Sequence, residues 1–326
     1  MTWEHVLSAA GYWDGGDLLR VPTSGTTGGA PRLVERTVQS WTDSFGPFTQ
    51  VTGLHADDVV LASGPASSMF VYARAHSAWL GAETIAESRW RPERASAATV
   101  AHLTSTMLAD VLELDRSRLR LVVVAGSALA PALRERALAR GIDVVEYYGA
   151  AELSFVAIGR GELEAFPQVE VEVRDGVIWV RSPWTALGYA GGVDGPLRSD
   201  GSWCSVGDRG VLRQGVLTVN GRDDIVTTGG RSVPVADVEA VLRSAPGVRE
   251  VAVLGVPQER LGEVLAAVVV GGERQSTMRH VRERLPREQC PVHWFTAERL
   301  PSTAAGKVSL PDLRLALAAG EVRTWT

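Results

Sequence analysis

The stretch from Leu119 to Gly149 constrains the fold more than any other part of the chain. LRLVVVA (119–125) is a short β-branched run without polar alternation, the mark of a strand buried on both faces. GSALAPALRERALARG follows as a helix candidate closed by Gly141, and IDVVEYYG (142–149) reads as a second strand. Strand, helix and strand within about thirty residues make a βαβ unit. Such a unit calls for a parallel sheet with a helix on its face.

Further along, the texture changes. From Glu170 to Val219 short alternating strands are separated by Gly turns: VEVEVRDGVIWVR is a hairpin around Asp175-Gly176, and RQGVLTVNGR is a second one. After Asp224 the pattern resets. Pro234 to Ser244 suits a short helix with Val238, Val241 and Leu242 on one face. Residues 248–256 and 263–270 read as strands, Ser276 is placed to cap a helix reaching about Leu285, and another helix starts near Pro311. The fold class is therefore α/β. A large N-terminal domain over 1–222 combines a mixed or parallel sheet with a β-rich subdomain. A small α+β domain follows over 223–326.

Bulk properties exclude several function classes. A net charge of −5 over 326 residues lacks the basic face of a nucleic-acid binder. Cys204 and Cys290 stand far apart, which opposes a disulfide framework or a zinc site and fits a reducing cytoplasm. The N-terminus has no basic-then-apolar signal pattern, and no apolar run is long enough to span a bilayer.

Residues 22–32 read PTSGTTGGAPR. From Ser24 to Gly29, three glycines among two Thr and a Ser make a poor helix or strand interior. Such a loop can turn its N–H groups inward and adds three hydroxyls, which together make a phosphate cradle. A flexible surface turn is the bland reading of the same residues. The Walker pattern GxxxxGK[ST] is absent, and the βαβ unit lacks the GxGxxG of a dinucleotide site.

Thr23-Ser24-Gly25-Thr26-Thr27-Gly28, with Pro31 and Arg32 after it, resembles the phosphate loop of the ANL superfamily of acyl-CoA synthetases, adenylation domains and luciferases. Here Gly29-Ala30 precede the proline, and Arg32 replaces the usual Lys. Five further segments resemble the family's in the family's order. Tyr148-Gly149-Ala150-Ala151-Glu152 is similar to YGxTE, with Ala151 in place of Thr. By resemblance, Tyr148 lies on adenine and Glu152 helps hold Mg²⁺ on the ATP phosphates. Gly126-Ser127-Ala128 resembles the segment that meets the adenine edge. Trp203 to Asp208 resembles WxxTGD, with Val206 for Thr; Asp208 then accepts the ribose hydroxyls. Gly221-Arg222-Asp223-Asp224, with Gly229, Gly230 and Pro234, resembles the hinge stretch. That implies Arg222 on the ribose, Asp224 as pivot of a rotating C-terminal domain, and Gly229 and Gly230 lining a pantetheine tunnel. Pro301 to Lys307 resembles PxTxxGK, whose lysine bridges the substrate carboxylate and the α-phosphate.

The resemblance implies an ATP- and Mg²⁺-dependent enzyme that converts a small carboxylic acid to an acyl-adenylate and passes the acyl group to a thiol. The acceptor is coenzyme A or the phosphopantetheine arm of an acyl carrier protein. A non-catalytic relative that binds a nucleotide or acyl-adenylate is the reading from another class. Ser67, Ser68, Met69 and Phe70 fall in the region that shapes the acyl pocket in the family, and no charge follows until Arg74. An amino-acid-activating aspartate has no counterpart, which favours a fatty or aryl acid. His76 reads as a packed core histidine. Family members carry a long segment before the phosphate loop, whereas about twenty residues precede it here. Uncovered apolar surface, and with it a homodimer, is the expectation.

Overall fold

Five parallel strands form the centre of the larger unit. The computed structural model describes residues 1–23, 32–64, 67–115, 117–126, 129–222, 225–228, 231–258, 262–303 and 306–325. The side chains of 220–222, 225, 227–228, 231–232 and 262–263 fall outside that description. The chain opens with α1 (Trp3–Ala9), β1 (Leu18–Pro22), β2 (Leu33–Thr37), α2 (Gln39–Thr42) and α3 (Phe45–Thr52). It continues through β3 (Val59–Leu61), α4 (Ser68–Leu80), β4 (Glu83–Ile85), β5 (Val100–Leu103) and α5 (Ser105–Val111). Then come β6 (Leu121–Val124), α6 (Pro131–Ala139), β7 (Asp143–Ala150) and β8 (Ser154–Gly159).

The spatial order is β4-β3-β5-β6-β7, every neighbour parallel. The βαβ unit expected around Leu121 is present. Its helix starts at Pro131 rather than Gly126, because proline suits the first helical turn. All four residues of β6 are buried, as a strand covered on both faces requires. Counted from β3 the order is that of a doubly wound sheet, with its topological switch between β3 and β5. Beyond β7 the sheet turns antiparallel through β8 and β9 (Glu164–Ala165), with β10 (Glu170–Arg174) and β11 (Val177–Arg181). The hairpin turn at Asp175 and Gly176 has both residues at positive φ, +49° and +79°, the pair that matches the twist of flanking strands. β12 (Gly188–Tyr189) leaves this sheet and pairs with β2, giving a separate sheet β1-β2-β12. The large sheet is completed by β13 (Arg198–Asp200), β14 (Trp203–Ser205), β15 (Asp208–Arg213) and β16 (Val216–Arg222).

The N-terminal segment acts as cover. α1 packs on α4, and Val6, Leu7 and Tyr12 join a core that includes Trp41, Phe45 and Tyr72. His76 is fully buried there between Phe45, Phe48 and Trp79, with Nε2 2.8 Å from Thr49 Oγ1, so it is a core histidine.

The second sheet comprises β17 (Ile225–Thr228), β18 (Arg231–Pro234), β19 (Val248–Gln258), β20 (Gly262–Gly271), β21 (His293–Thr296) and β22 (Arg323–Thr324). β19 alternates Val251 and Val253 toward one core with Ala252 and Leu254 toward another. The helix α7 (Val235–Arg243) supplies Val238 and Leu242 to the first, and α8 (Arg274–Arg284) supplies Val281. The last helix, α9 (Leu310–Ala318), buries Leu313 in the second. Ser276 does not cap α8. Glu273 does, because its two carboxylate oxygens accept from the N–H groups of both Gln275 and Ser276. Contacts divide the chain into one unit of Met1–Ala128, Arg136–Val219 and Ala304–Gly306 and another of Leu129–Glu135, Asn220–Thr303 and Lys307–Thr326. Among the described residues no helix is long and apolar enough to cross a membrane.

Candidate active site

In open α/β sheets ligands bind at the carboxyl ends of the strands, beside the switch point. Several motif residues fall at those ends. After β3, Ser67 is the N-cap residue of α4 without a side-chain cap bond, and Ser68 and Met69 follow half-buried. The Phe70 ring is fully buried against Gly64, where an added Cβ would stand 2.3 Å from the ring. Arg74 donates to the carbonyls of Ala62, Gly64 and Glu87, so its guanidinium braces backbone. After β5, Thr104 caps α5 through the Met107 N–H. After β6, Gly126 sits at φ +90°; Ser127 and Ala128 lie outside the described residues.

The glycine-rich loop joins β1 to β2, and its neck is defined. The Thr23 N–H donates to the Arg32 carbonyl at 2.8 Å, and the Arg32 N–H donates to Thr23 Oγ1 at 3.2 Å. Ser24, Gly25, Thr26, Thr27 and Gly28 lie outside the described residues. Arg32 Nε donates to the Asp194 carbonyl at 3.0 Å.

Two motif residues far apart in sequence meet directly: the Tyr148 hydroxyl donates to Asp208 Oδ2 at 2.8 Å. Asp208 opens β15 and is buried, so it is not a simple turn residue. Gly149 follows Tyr148 at a β-bulge between β7 and β8. A Cβ there would lie 2.2 Å from the Ser154 carbonyl oxygen, which is why only glycine fits. Ala150 ends the strand and Ala151 is half-buried. Glu152 is 4% exposed rather than on the surface, and the Tyr189 hydroxyl donates to its Oε1 at 2.8 Å.

Arg36 and Tyr189 are the residues that motif reading missed. β2 exposes Leu33 and buries Val34 and Arg36 by alternation. Arg36 is fully buried: Nε donates to Ser40 Oγ, Nη1 to the Ala151 carbonyl at 2.9 Å, and Nη2 to the Trp184 carbonyl. A charge in alternation with the apolar Val34 on its own strand was the available signal.

The backbone of Arg222 closes β16, and its side chain lies outside the description, as do Asp224, Gly229 and Gly230. Lys307 is half-buried at the end of a tight loop: the Thr303 N–H donates to the Lys307 carbonyl at 2.7 Å, and Gly306 takes φ +74°. Among the described residues no group of three or more His, Cys, Asp or Glu could hold a metal ion. A lone buried carboxylate such as Glu152 fits Mg²⁺ held mainly by phosphate oxygens and water.

The family profile described as AMP-binding enzyme matches residues 20–190, and the AMP-binding enzyme C-terminal domain matches 237–307. Acyl-CoA ligase YhfT of Bacillus subtilis (strain 168), itself uncharacterised, is 28% identical over 88% of this chain and 66% of its own length. The chain thus spans about two thirds of that relative. A variant of E. coli MenE with bound OSB-AMS shares the fold at TM-score 0.80 and 25% identity, over 94% of this chain and 70% of that one. ATP-bound MatB from Rhodopseudomonas palustris shares it at TM-score 0.78 and 23% identity, over 93% and 69%. With two profiles covering both parts of the chain in the expected order, the chain belongs to the AMP-binding enzyme family, within the adenylate-forming ANL superfamily.

Proposed function

We propose that this chain activates a carboxylic acid with ATP and transfers the acyl group to coenzyme A. One observation carries most weight. Arg36, on the strand that leaves the glycine-rich loop, bonds directly to the turn that carries Glu152, while Tyr148 in the same motif holds Asp208. The strand after the loop, the candidate metal ligand and the candidate ribose ligand are thereby linked through Arg36 and the motif of Tyr148.

The carboxylate oxygen attacks the α-phosphorus, and the bond to the β-phosphate oxygen breaks to release pyrophosphate. No protein nucleophile is needed; positioning and charge stabilisation suffice. Residues 23–28 hold the phosphates, Asp208 and Arg222 the ribose, Tyr148 the base, and Glu152 the metal. Magnesium, when bound with the triphosphate, offsets the charge on the departing group. Lys307 stabilises the charge that builds as carboxylate meets phosphorus. It is the only lysine among 33 basic side chains, so a compact ammonium occurs on no other side chain. The C-terminal domain then turns about Asp224, and a thiolate attacks the acyl carbon with AMP leaving.

The acid is a fatty or aryl acid. The first turn of α4 carries no carboxylate for an α-amine, and Arg74 is engaged with backbone. The acceptor is coenzyme A, which fits the acyl-CoA ligase name of the relative from B. subtilis; a carrier-protein arm is the other acceptor to assay. We place the reaction in the cytoplasm, where ATP and reduced thiols are held. A homodimer is proposed as well, and a monomer at working concentration in sizing by light scattering rejects it.

Lys307→Ala tests the reading. It is expected to lower acid-dependent pyrophosphate release by about 100-fold or more, the scale of losing one transition-state donor, while sparing transfer from supplied acyl-adenylate. An unchanged first step removes Lys307 from the mechanism.

A further inference from the structure

We infer that Arg36 is a positioning residue that sets the Glu152 carboxylate relative to β2, with Tyr189 fixing the carboxylate itself. This rests on the functional reading above and adds two residues to it.

The placement of Arg36 is unusual for a structural arginine. Its side chain is 0% exposed, on the inward face of β2 beside Val34. A buried guanidinium is expensive unless its donors are met, and a bidentate carboxylate is its usual partner. Among the described residues no carboxylate lies within ion-pair distance of Arg36. Its donors go instead to neutral acceptors: Ser40 Oγ, the Ala151 carbonyl and the Trp184 carbonyl. Burial pulls the guanidinium down to about 9, a shift that Tyr72 and Glu152 oppose, so it stays charged at neutral pH.

The two carbonyls matter because of the residues next to them along the chain. Ala151 immediately precedes Glu152. Trp184 begins the run leading to Tyr189, whose hydroxyl donates to Glu152 Oε1. Between them the Ala186 N–H donates to the Glu152 carbonyl at 2.8 Å. Tyr189 is also held in place, since its oxygen accepts from the Leu197 N–H and its strand pairs with β2 at Val34. One guanidinium therefore bolts together β2, the turn before Glu152 and the segment that delivers Tyr189. β2 begins one residue after Arg32, at the neck of the loop. A change at Arg36 is expected to shift the candidate metal ligand without removing it.

A position of this kind is expected to affect binding that needs the metal and to leave the rest alone. The test is equilibrium binding by calorimetry, without acid or thiol, of MgATP, of ATP in EDTA and of AMP. The proteins are the intact wild type, Arg36→Met, Arg36→Lys and Tyr189→Phe. Loss of a residue that orients a metal ligand commonly weakens metal affinity by about 10–100-fold. Arg36→Met and Tyr189→Phe are each expected to weaken MgATP about tenfold or more, to raise the magnesium concentration needed for half-saturation, and to leave AMP within about threefold. Arg36→Lys keeps the charge but not the fork, and is expected to fall between. Equal losses for MgATP and AMP, or none in any variant, overturn the inference while leaving the adenylation reading standing. Should Arg36→Met not fold, Arg36→Lys and Tyr189→Phe decide by the same criterion. A wild-type chain that binds none of the three nucleotides overturns both.

Discussion

Asp208 shows how a single carboxylate is prepared for its task. It is buried at the start of β15, and the Tyr148 hydroxyl points one of its oxygens. In the role proposed for it, Asp208 accepts from both ribose hydroxyls as a group already desolvated and aimed. Asp208→Ala is expected to weaken AMP binding about 30-fold, the equivalent of roughly 2 kcal/mol for a charged hydrogen-bond acceptor. Calorimetric titration of AMP reads it directly. The candidate residues, though not their pairings, were partly legible. Tyr148, Glu152, Asp208 and Lys307 stand out because each falls in a short glycine-containing motif that resembles the family's. Arg36 and Tyr189 were not, since their partners lie 115 and 37 positions away in sequence and no local spacing marks them. The loop residues 24–28 and Asp224 fall outside the described residues.

At the level of elements, the turn from β7 into β8 carries the site. Tyr148 and Glu152 flank a bulge whose geometry depends on Gly149, with the Ser154 carbonyl closing on its Cα. Gly149→Ala forces that carbonyl away and is expected to cost about 1–3 kcal/mol of stability, the range for overpacking. Nucleotide affinity is expected to fall further than stability does, because both neighbours move. Urea unfolding alongside AMP titration separates the two effects. The strand that enters this turn was readable from its β-branched run and the first hairpin turn from Asp-Gly, whereas β8 was not read. The cap of α8 was not: Ser276 is the more familiar capping type, but Glu273 satisfies two N–H groups at once and therefore wins the position. Sheet order was equally hidden, since strand-helix-strand repeats fix parallel pairing but not which neighbour lies on which side.

Over the whole molecule, the core of the larger unit stores a dependence on pH. His76 and His102 are buried beside Phe48. Burial lowers His76 to about 4, and burial together with His76 lowers His102 to about 3. Among the described residues, His76 Nδ1 and His102 Nε2 have no hydrogen-bond partner. Both imidazoles fold neutral, while the unfolded chain protonates them near the ordinary value of about 6.5. Their stabilising contribution is thus complete above about pH 6.5 and declines steadily as pH falls toward 4 and 3. The urea midpoint is expected to drop between about pH 6.5 and pH 4.5, and His102→Met to flatten that slope. An identical slope in the variant assigns the acid sensitivity elsewhere.

Exchange of labelled pyrophosphate into ATP, run without thiol across a panel of fatty and aryl acids, probes the activation chemistry at its source. At least one acid should support exchange, and Lys307→Arg should lose it despite keeping a positive charge. Nucleotide binding with no exchange for any acid, or wild-type exchange by Lys307→Arg, would show that this fold binds a nucleotide without performing the chemistry assigned to it.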